Sequence, residues 1–364
     1  MVRGRSERRA GNRDRLLREE GTIYKDRGGR LPVALIYPNS YYLGMSNLGI
    51  HAIYRLLNSY PDVVCERVFF EGEGTSLSVE SRRPLRDFAI IAFSVSYELD
   101  YFNIPRILKA GGIPLFARER GPSHPLLIAG GPCITANPLP VSPFFDCLGI
   151  GEAEVILPAM LPVLQEGLIG SREDLREKLA SLPGIYCPLA GKQNKVCRQW
   201  LQGLDDFPTA STVFTPDTEL GDLFLMEVER GCGRGCRFCL VHSTYSPMRF
   251  RSVEFLLRQA EQGLKYRKRV GLVGPAVTDH PRIEELMRGL LEMGAGISVS
   301  SARIGPRARI IMELLASGGS RTVTLAPEAG SERLRRVINK GNTEEDLLST
   351  IHRVFSAGWR LVKL

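Results

Sequence analysis

The sequence predicts an α/β protein in two parts, a doubly wound parallel sheet followed by a partial (β/α) barrel that is truncated at the C-terminus. Three observations carry that prediction. Strand-like apolar runs alternate with helix-spaced segments from residue 31 onward, the pattern of parallel strands joined by crossover helices. The alternation lapses once, over residues 171–221, where Pro, Thr and Asp accumulate as in an extended connection. At 364 residues the chain also exceeds one ordinary core, and about two domains are expected.

In order, "LPVALIYP" (31–38) is a short β-rich run and "LGIHAIYRLLNSY" (48–60) has helical spacing. "RDFAIIAFSVS" (86–96) is a buried strand, and "YFNIPRILKAGG" after it is a helix stopped by a glycine pair. "HPLLIAGGP" (124–132) and "FFDCLGIGEAE" (144–154) are further strands breaking at glycines, and "VILPAMLPVLQEG" reads as a helix. Such a sheet is covered on both faces, and its ligands sit at the carboxyl ends of the strands. The turns "YPNSYYLGMSNLG", "AGGPCITANP" and "IGEAE" line that edge. None has the glycine spacing of a dinucleotide or phosphate loop, and Gly and Pro also serve simply to close tight connections.

"GIYCPLAGKQNKVCRQW" suggests short strands around a turn, and "LDDFPTASTVFTPDTELGD" a linker. The second part opens with the strand "DLFLMEVERGC" (222–232). Helix "SVEFLLRQAEQGLKY", strand "RVGLVGP", helix "PRIEELMRGLLEMG", strand "GISVSSARIG" and helix "ARIIMELLASGG" follow. Strand "RTVTLAPEAG", helices "SERLRRVI" and "EEDLLSTIHRVFSAG", and a last strand starting in "WRLVKL" complete about four and a half barrel-like units. An open parallel sheet leaves its edges uncovered, so the barrel is expected to be completed elsewhere. The predicted organisation is an arm over 1–30, a first domain over 31–170, short strands and linker over 171–221, and a second domain over 222–364.

Composition is that of a soluble globular protein, 43% hydrophobic and 24% charged. No apolar run is long enough to span a bilayer, and the arginine-rich start has no apolar signal core, so a cytoplasmic protein with no membrane partner is expected. Residues 1–30 hold nine Arg and one Lys against five acids, much of the net charge of +8. Such an arm could touch nucleic acid. Its aromatic interleaving is sparse, which favours a flexible, solubilising lead-in.

The chemistry lies in "GCGRGCRFCL" (231–240), which holds Cys232, Cys236 and Cys239 of the eight cysteines. The cytosol keeps thiols reduced, so a tight group points to a metal site or redox centre. Cys65, Cys133, Cys147, Cys187 and Cys197 are scattered and fit buried structural thiols. A disulfide would leave one of the three over. Structural zinc wants four ligands, and the nearest fourth is His242. Three thiolates can instead hold three irons of a 4Fe–4S cube, with the fourth iron open. Gly231, Gly233 and Gly235 would let the backbone wrap closely, and Arg234 and Arg237 would offset the cluster's negative charge.

C-x3-C-x2-C directly after the first strand of an α/β barrel resembles the radical S-adenosylmethionine (SAM) superfamily. The resemblance implies a 4Fe–4S cluster held by Cys232, Cys236 and Cys239. Its open iron would chelate SAM, which on reduction yields a 5′-deoxyadenosyl radical that abstracts hydrogen from a substrate. It further implies that Phe238 packs near the adenine, core packing being the ordinary alternative. The "VGPA" stretch Val273–Ala276, with Gly274 and Pro275, would meet the methionyl amine through its backbone, although the common Gly-Gly-Glu form is absent. Arg303 in "SSARIG" would bind a carboxylate, unless it is a plain surface arginine. Glu328 in "APEAGSERL" would reach the ribose hydroxyls, unless it is a first-turn acid favoured by the helix dipole.

The pattern of the first domain is similar to the Rossmann-like domains of cobalamin-associated radical enzymes. Most closely it resembles an uncharacterised radical SAM group with such a cobalamin-binding-like N-terminal domain. The histidine motif D-x-H-x-x-G of cobalamin ligation is absent, and His51 and His124 have no such context, so cobalamin is left open. An electron donor such as flavodoxin or ferredoxin is implied. The substrate and any side chain that does substrate chemistry are unassigned. Two further enzymatic readings are a cobalamin-dependent methyltransferase and an RNA methylthiotransferase, the latter normally needing a second set of cysteines. A non-catalytic metal-binding module is the reading from another class.

Overall fold

The computed structural model describes residues 16–364 apart from 73, 75, 169, 192–194, 306, 307 and 321. The chain divides into two compact units, one of residues up to Ile134 with Pro138–Cys197 and Thr212–Gly221, the other of Thr135–Asn137, Arg198–Ser211 and Asp222–Leu364.

In the first unit a six-stranded sheet has the order β2-β1-β3-β4-β5-β6. Its strands are β1 (Leu31–Tyr37), β2 (Val63–Phe69), β3 (Ile90–Ser94), β4 (Leu126–Gly130), β5 (Cys147–Gly149) and β6 (Ile185–Tyr186). β1 to β5 run parallel and β6 is antiparallel to β5. Residues alternate between the faces of a strand. Val33 and Leu35 of β1 enter one apolar core with Ile50, Tyr54 and Leu57 of helix α1 (Leu48–Ser59) and Leu157, Met160, Leu161 and Leu164 of α3 (Ala153–Gly167). Ala34 and Ile36 enter the other, with Ile104, Ile107 and Leu108 of α2 (Asn103–Ala110). Both faces are thus covered, as expected for a parallel sheet. The strand order turns back between β1 and β3, so the ligand-binding edge of this architecture lies at their carboxyl ends.

β2 is the strand that apolar patterning misses, because Glu66 and Arg67 interrupt it. Arg67 is fully buried and pairs with Glu19 and Glu80, each at 2.7 Å. Glu19 also accepts from Tyr41 Oη and Thr22 Oγ1, each at 2.5 Å. The expected arm therefore ends early. Residues 1–15 lie outside the described residues, but from Glu19 the chain is tied down, with Glu20 bridging to Phe214.

The segment 171–221 also differs from a linker. It carries helix α4 (Arg172–Ala180), capped by Ser171, whose side chain accepts from the Glu173 and Asp174 amides. Only a few side chains of α4 are buried, so periodicity does not announce it. Arg172 and Arg176 dock it onto the fully buried Asp146, which Arg120 also holds. Burial alone would raise the Asp146 pKa, but these guanidinium groups and the Leu127 amide carry it below its ordinary value. Further on, the chain changes unit between Ser211 and Thr212. Ala210 bridges to Met226, whereas the Thr212 and Val213 amides donate to His51 Nδ1 at 3.1 and 3.3 Å.

The second unit is built on β7 (Leu223–Glu227), β10 (Arg269–Val273) and β11 (Gly296–Val299), a parallel sheet of order β11-β10-β7. Helices α6 (Val253–Gly263) and α7 (Ile283–Glu292) make the crossovers. At Gly263 a Cβ would fall 2.2 Å from the Phe224 ring, so α6 lies hard against β7. After α8 (Ala308–Ser317), β12 (Thr322–Thr324) pairs in parallel with β13 (Leu361–Lys363), with α9 (Glu332–Val337) and α10 (Glu344–Ser356) between them. A bridge from Ala302 to Leu325 links this pair to the β11 side. Among the described residues the strands form an open wall and no closed barrel. A small antiparallel ribbon, β8 (Glu229–Arg230) with β9 (Arg249–Phe250), follows β7 directly. Helix α5 (Val241–Tyr245) lies between its strands.

Candidate functional site

The three-cysteine loop leaves the carboxyl end of β7 through β8. Its entry is held from below. Glu227, the last residue of β7, accepts from Arg230 at 2.9 Å and from Arg251 at 2.7 Å. Burial would raise the Glu227 pKa, but the two guanidinium groups outweigh it and keep the carboxylate charged. The loop then turns at Gly231, with φ of +90°, where a Cβ would lie 2.4 Å from the Tyr245 carbonyl oxygen. Only glycine fits there. Gly235 is also left-handed, with φ of +64°, whereas a Cβ on Gly233 would meet nothing closer than Met248 Sδ at 3.9 Å. The close wrap expected of three glycines thus rests on two. Gly231→Ala is expected to cost well over about 1 kcal/mol of local stability and to lower iron uptake on reconstitution. Gly233→Ala is the tolerated comparison.

Cys232, Cys236 and Cys239 are each half-buried, and the Cys239 amide donates to the Cys236 carbonyl at 3.1 Å. The far side of the loop rests on the end of α9. The Arg237 amide donates to Ile338 O at 3.0 Å, and Asn339 Nδ2 donates to Gly235 O at 2.9 Å. Among the described residues no three His, Cys, Asp or Glu side chains close around a metal-binding point. His242 lies on α5 with Nδ1 3.4 Å from the Cys232 carbonyl oxygen, an acceptor that engages the ring as a donor. The loop itself supplies three soft thiols, which among the described residues are not drawn together into a preformed metal site. A set of three suits a 4Fe–4S cluster with one open iron better than tetrahedral zinc.

Arg234 has its charge offset by a carboxylate, whereas Arg237 keeps its charge beside a neutral carbonyl. Arg234 pairs with Asp279 at 3.2 Å, and Arg237 donates to the Val337 carbonyl at 2.5 Å. Arg303 is paired as well, with its Nε 3.0 Å from the same Asp279 oxygen. A carboxylate ligand would have to compete for it. Phe238 is 55% exposed, so its ring is not core packing. Glu328 is not a first-turn acid, because α9 begins at Glu332 with Ser331 as its cap. Glu328 sits ahead of the helix at a φ of +68°, with Lys340 Nζ 3.0 Å from its Oε1. A non-glycine residue held there stores roughly 1–3 kcal/mol of strain.

Glu229 of β8, which sequence reasoning passed over, is buried against the "VGPA" stretch. Its Oε1 accepts from the Ala276 amide, and a Cβ on Gly274 would fall 2.7 Å from that oxygen. Burial, with Asp279 and Glu227 nearby, pushes its pKa to about 7 against the pull of Ala276 and Arg303. The signal available in sequence was a second acid in "EVERGC", on the strand that runs into the cysteines.

Two family models match the chain, "Radical SAM proteins, N-terminal" over residues 49–188 and "Radical SAM superfamily" over residues 226–364. A curated relative, Uncharacterized protein MJ0966 of Methanocaldococcus jannaschii, is 35% identical over 91% of this chain and 68% of its own length. The chain belongs to the radical SAM superfamily. A 4Fe–4S cluster and SAM are the cofactors of that superfamily, and membership makes the chain an enzyme rather than a non-catalytic metal-binding module. Among solved structures, the cobalamin-dependent SAM radical enzyme OxsB with aqua-cobalamin and SAM bound matches with a TM-score of 0.64 at 18% identity. That match covers 92% of this chain and 49% of OxsB. The radical SAM methyltransferase TsrM from Kitasatospora setae, with tryptophan and a SAM analogue bound, matches with a TM-score of 0.58 at 14% identity, over 91% of this chain and 67% of TsrM. At such identities the likeness establishes the fold, and the chain spans about half the length of OxsB. No helix among the described residues is long and apolar enough to cross a membrane.

Proposed function

We propose that this radical SAM chain binds a 4Fe–4S cluster through Cys232, Cys236 and Cys239. The cluster, when bound and reduced, supplies the electron that cleaves SAM to a 5′-deoxyadenosyl radical for hydrogen abstraction from a substrate. The observation that carries this reading is the glycine-locked loop at the carboxyl end of β7, which presents three free thiols. The exposed Phe238 ring offers a face to the adenine. Glu328, oriented by Lys340, offers a carboxylate to the ribose hydroxyls. The Ala276 amide is committed to Glu229, so contact from Gly274 and Pro275 to the methionyl group would come through their carbonyls. Arg303 would meet the methionyl carboxylate only by sharing it with Asp279. A one-electron donor such as flavodoxin or ferredoxin supplies the reduction. Anaerobic reconstitution with iron and sulfide tests the reading. A 4Fe–4S spectrum perturbed by SAM supports it, whereas stoichiometric zinc with no cluster uptake sinks it.

A second, compatible reading adds a corrinoid, making the chain part of a cobalamin-dependent methyltransferase. It is favoured by the edge of the first unit where the strand order turns back. There Asp100 is 2% exposed, with Oδ1 accepting from Asn39 at 2.7 Å and Oδ2 buried without a partner among the described residues. Tyr42 and Leu43 after β1, Tyr97, Leu99 and Phe102 after β3, and Leu139 after β4 expose large apolar groups along that edge. Neither histidine of this unit is available as an axial ligand. Both nitrogens of the buried His51 are engaged, Nε2 with Met45 O at 3.0 Å, and His124 lies ahead of β4, away from that edge. A corrinoid absorption spectrum retained through gel filtration is the expected result.

The methylthiotransferase reading is not favoured. Cys65, Cys133, Cys147 and Cys187 are buried and Cys197 is exposed. Cys147 and Cys187 are hydrogen-bonded to each other, whereas no group of three metal-holding side chains occurs among the described residues.

A further inference from the structure

Glu229 is 1% exposed, and its Oε2 is buried with no hydrogen-bond partner among the described residues. An unsatisfied buried carboxylate oxygen is costly. The surroundings maintain it nonetheless. Gly274 leaves the space that the carboxyl fills, and the Ala276 amide fixes Oε1, which leaves Oε2 as a buried acceptor, unpartnered among the described residues, beside the turn that follows β10. The charged groups acting on it are Asp279, Glu227 and Arg303. Asp279 is engaged by Arg234 and Arg303, and Glu227 by Arg230 and Arg251. Glu229 is therefore the acid of this group that no basic side chain has claimed. The complementary ligand group is a cationic N–H donor.

We propose that Glu229 receives the α-ammonium group of SAM on Oε2, supplying from β8 the carboxylate that the Val273–Ala276 stretch lacks. This rests on the SAM-cleaving reading above and makes Glu229 a positioning residue for the cosubstrate.

The test compares reconstituted wild type with Glu229→Gln, which keeps the acceptor for Ala276 and removes the charge. SAM binding, measured by equilibrium dialysis, is expected to weaken about 10- to 100-fold, the range of a charge-assisted hydrogen bond. A SAM analogue without the α-amino group is expected to bind both proteins alike. Gly274→Ala, whose Cβ displaces the carboxyl, is expected to give the same selective loss. A readout free of cofactor comes from thermal melts of the cluster-free protein. The native pKa of Glu229 is raised, so the folded state holds its proton more tightly than the unfolded state. Wild type therefore loses stability relative to Glu229→Gln as pH rises toward and through 7. Equal SAM affinity in the two proteins overturns the proposal. So does an equal loss for the amine-free analogue, or failure of Glu229→Gln to take up the cluster, either of which would make Glu229 a purely structural support. If wild type itself binds no SAM, the reading of the site fails, and the proposal with it.

Discussion

Alanine at any one of Cys232, Cys236 or Cys239 is expected to abolish cluster uptake and SAM cleavage. On the proposed reading each of the three thiolates holds one iron of the cluster, so losing any one leaves an iron without its protein ligand. Iron bound after reconstitution is expected to fall from roughly four per chain to a small residue, with 5′-deoxyadenosine below detection. His242→Ala distinguishes the metals. Its ring faces the Cys232 carbonyl, so an iron–sulfur loop keeps its cluster in that variant, whereas a zinc site using His242 as fourth ligand loses its metal. Cys197→Ser, at an exposed position outside the loop, retains both cluster and activity. Iron and acid-labile sulfide assays on the purified variants read all of these outcomes.

Arg67→Met is expected to destabilise the first unit by about 3–5 kcal/mol, the cost of leaving buried charges without their partner. Arg67 stands between Glu19 and Glu80, with side chains 1%, 0% and 4% exposed. Burial alone would raise Glu19, but Arg67 holds it below the usual carboxylate range. Burial pushes Glu80 upward despite the same guanidinium. Without Arg67 both carboxyls have native pKa values above their unfolded ones, so the variant binds protons on folding. Its stability then falls as pH rises above the ordinary carboxylate value. The deficit relative to wild type is accordingly wider near pH 8 than near pH 5. Urea melts followed by far-ultraviolet circular dichroism at the two pH values check both size and sign.

The same triad explains which parts of the fold were legible in sequence. β1, β3, β4 and β5 are uninterrupted apolar runs, and every one is a strand of the sheet. β2 carries Glu66 and Arg67 on a fully buried strand, and their partners lie far off in sequence, so no local pattern reveals it. α4 is hidden for a related reason. Its attachment is an Asp146–arginine cluster rather than an apolar stripe. The return of Thr212 and Val213 to His51 is likewise a pairing of backbone amides with a ring nitrogen, which composition cannot register.

At the site, the cysteine spacing and the strand before it were readable because both are local. The partners of the surrounding charges were not. Asp279 gathers Arg234 and Arg303 from residues 45 and 24 positions away, and Glu328 owes its position to a left-handed backbone rather than a helix start. Glu229 stood in plain view beside the motif. Its significance needed the burial of Oε2 and the seat that Gly274 leaves for the carboxyl, both of which are tertiary facts.

The most direct test of the central claim is the product of a single anaerobic incubation. Reconstituted protein, dithionite and SAM are analysed by liquid chromatography for 5′-deoxyadenosine. The account predicts 5′-deoxyadenosine and methionine from wild type, and neither from Cys239→Ala. A protein that takes up a full 4Fe–4S cluster, binds SAM and still returns it uncleaved under reduction would contradict it.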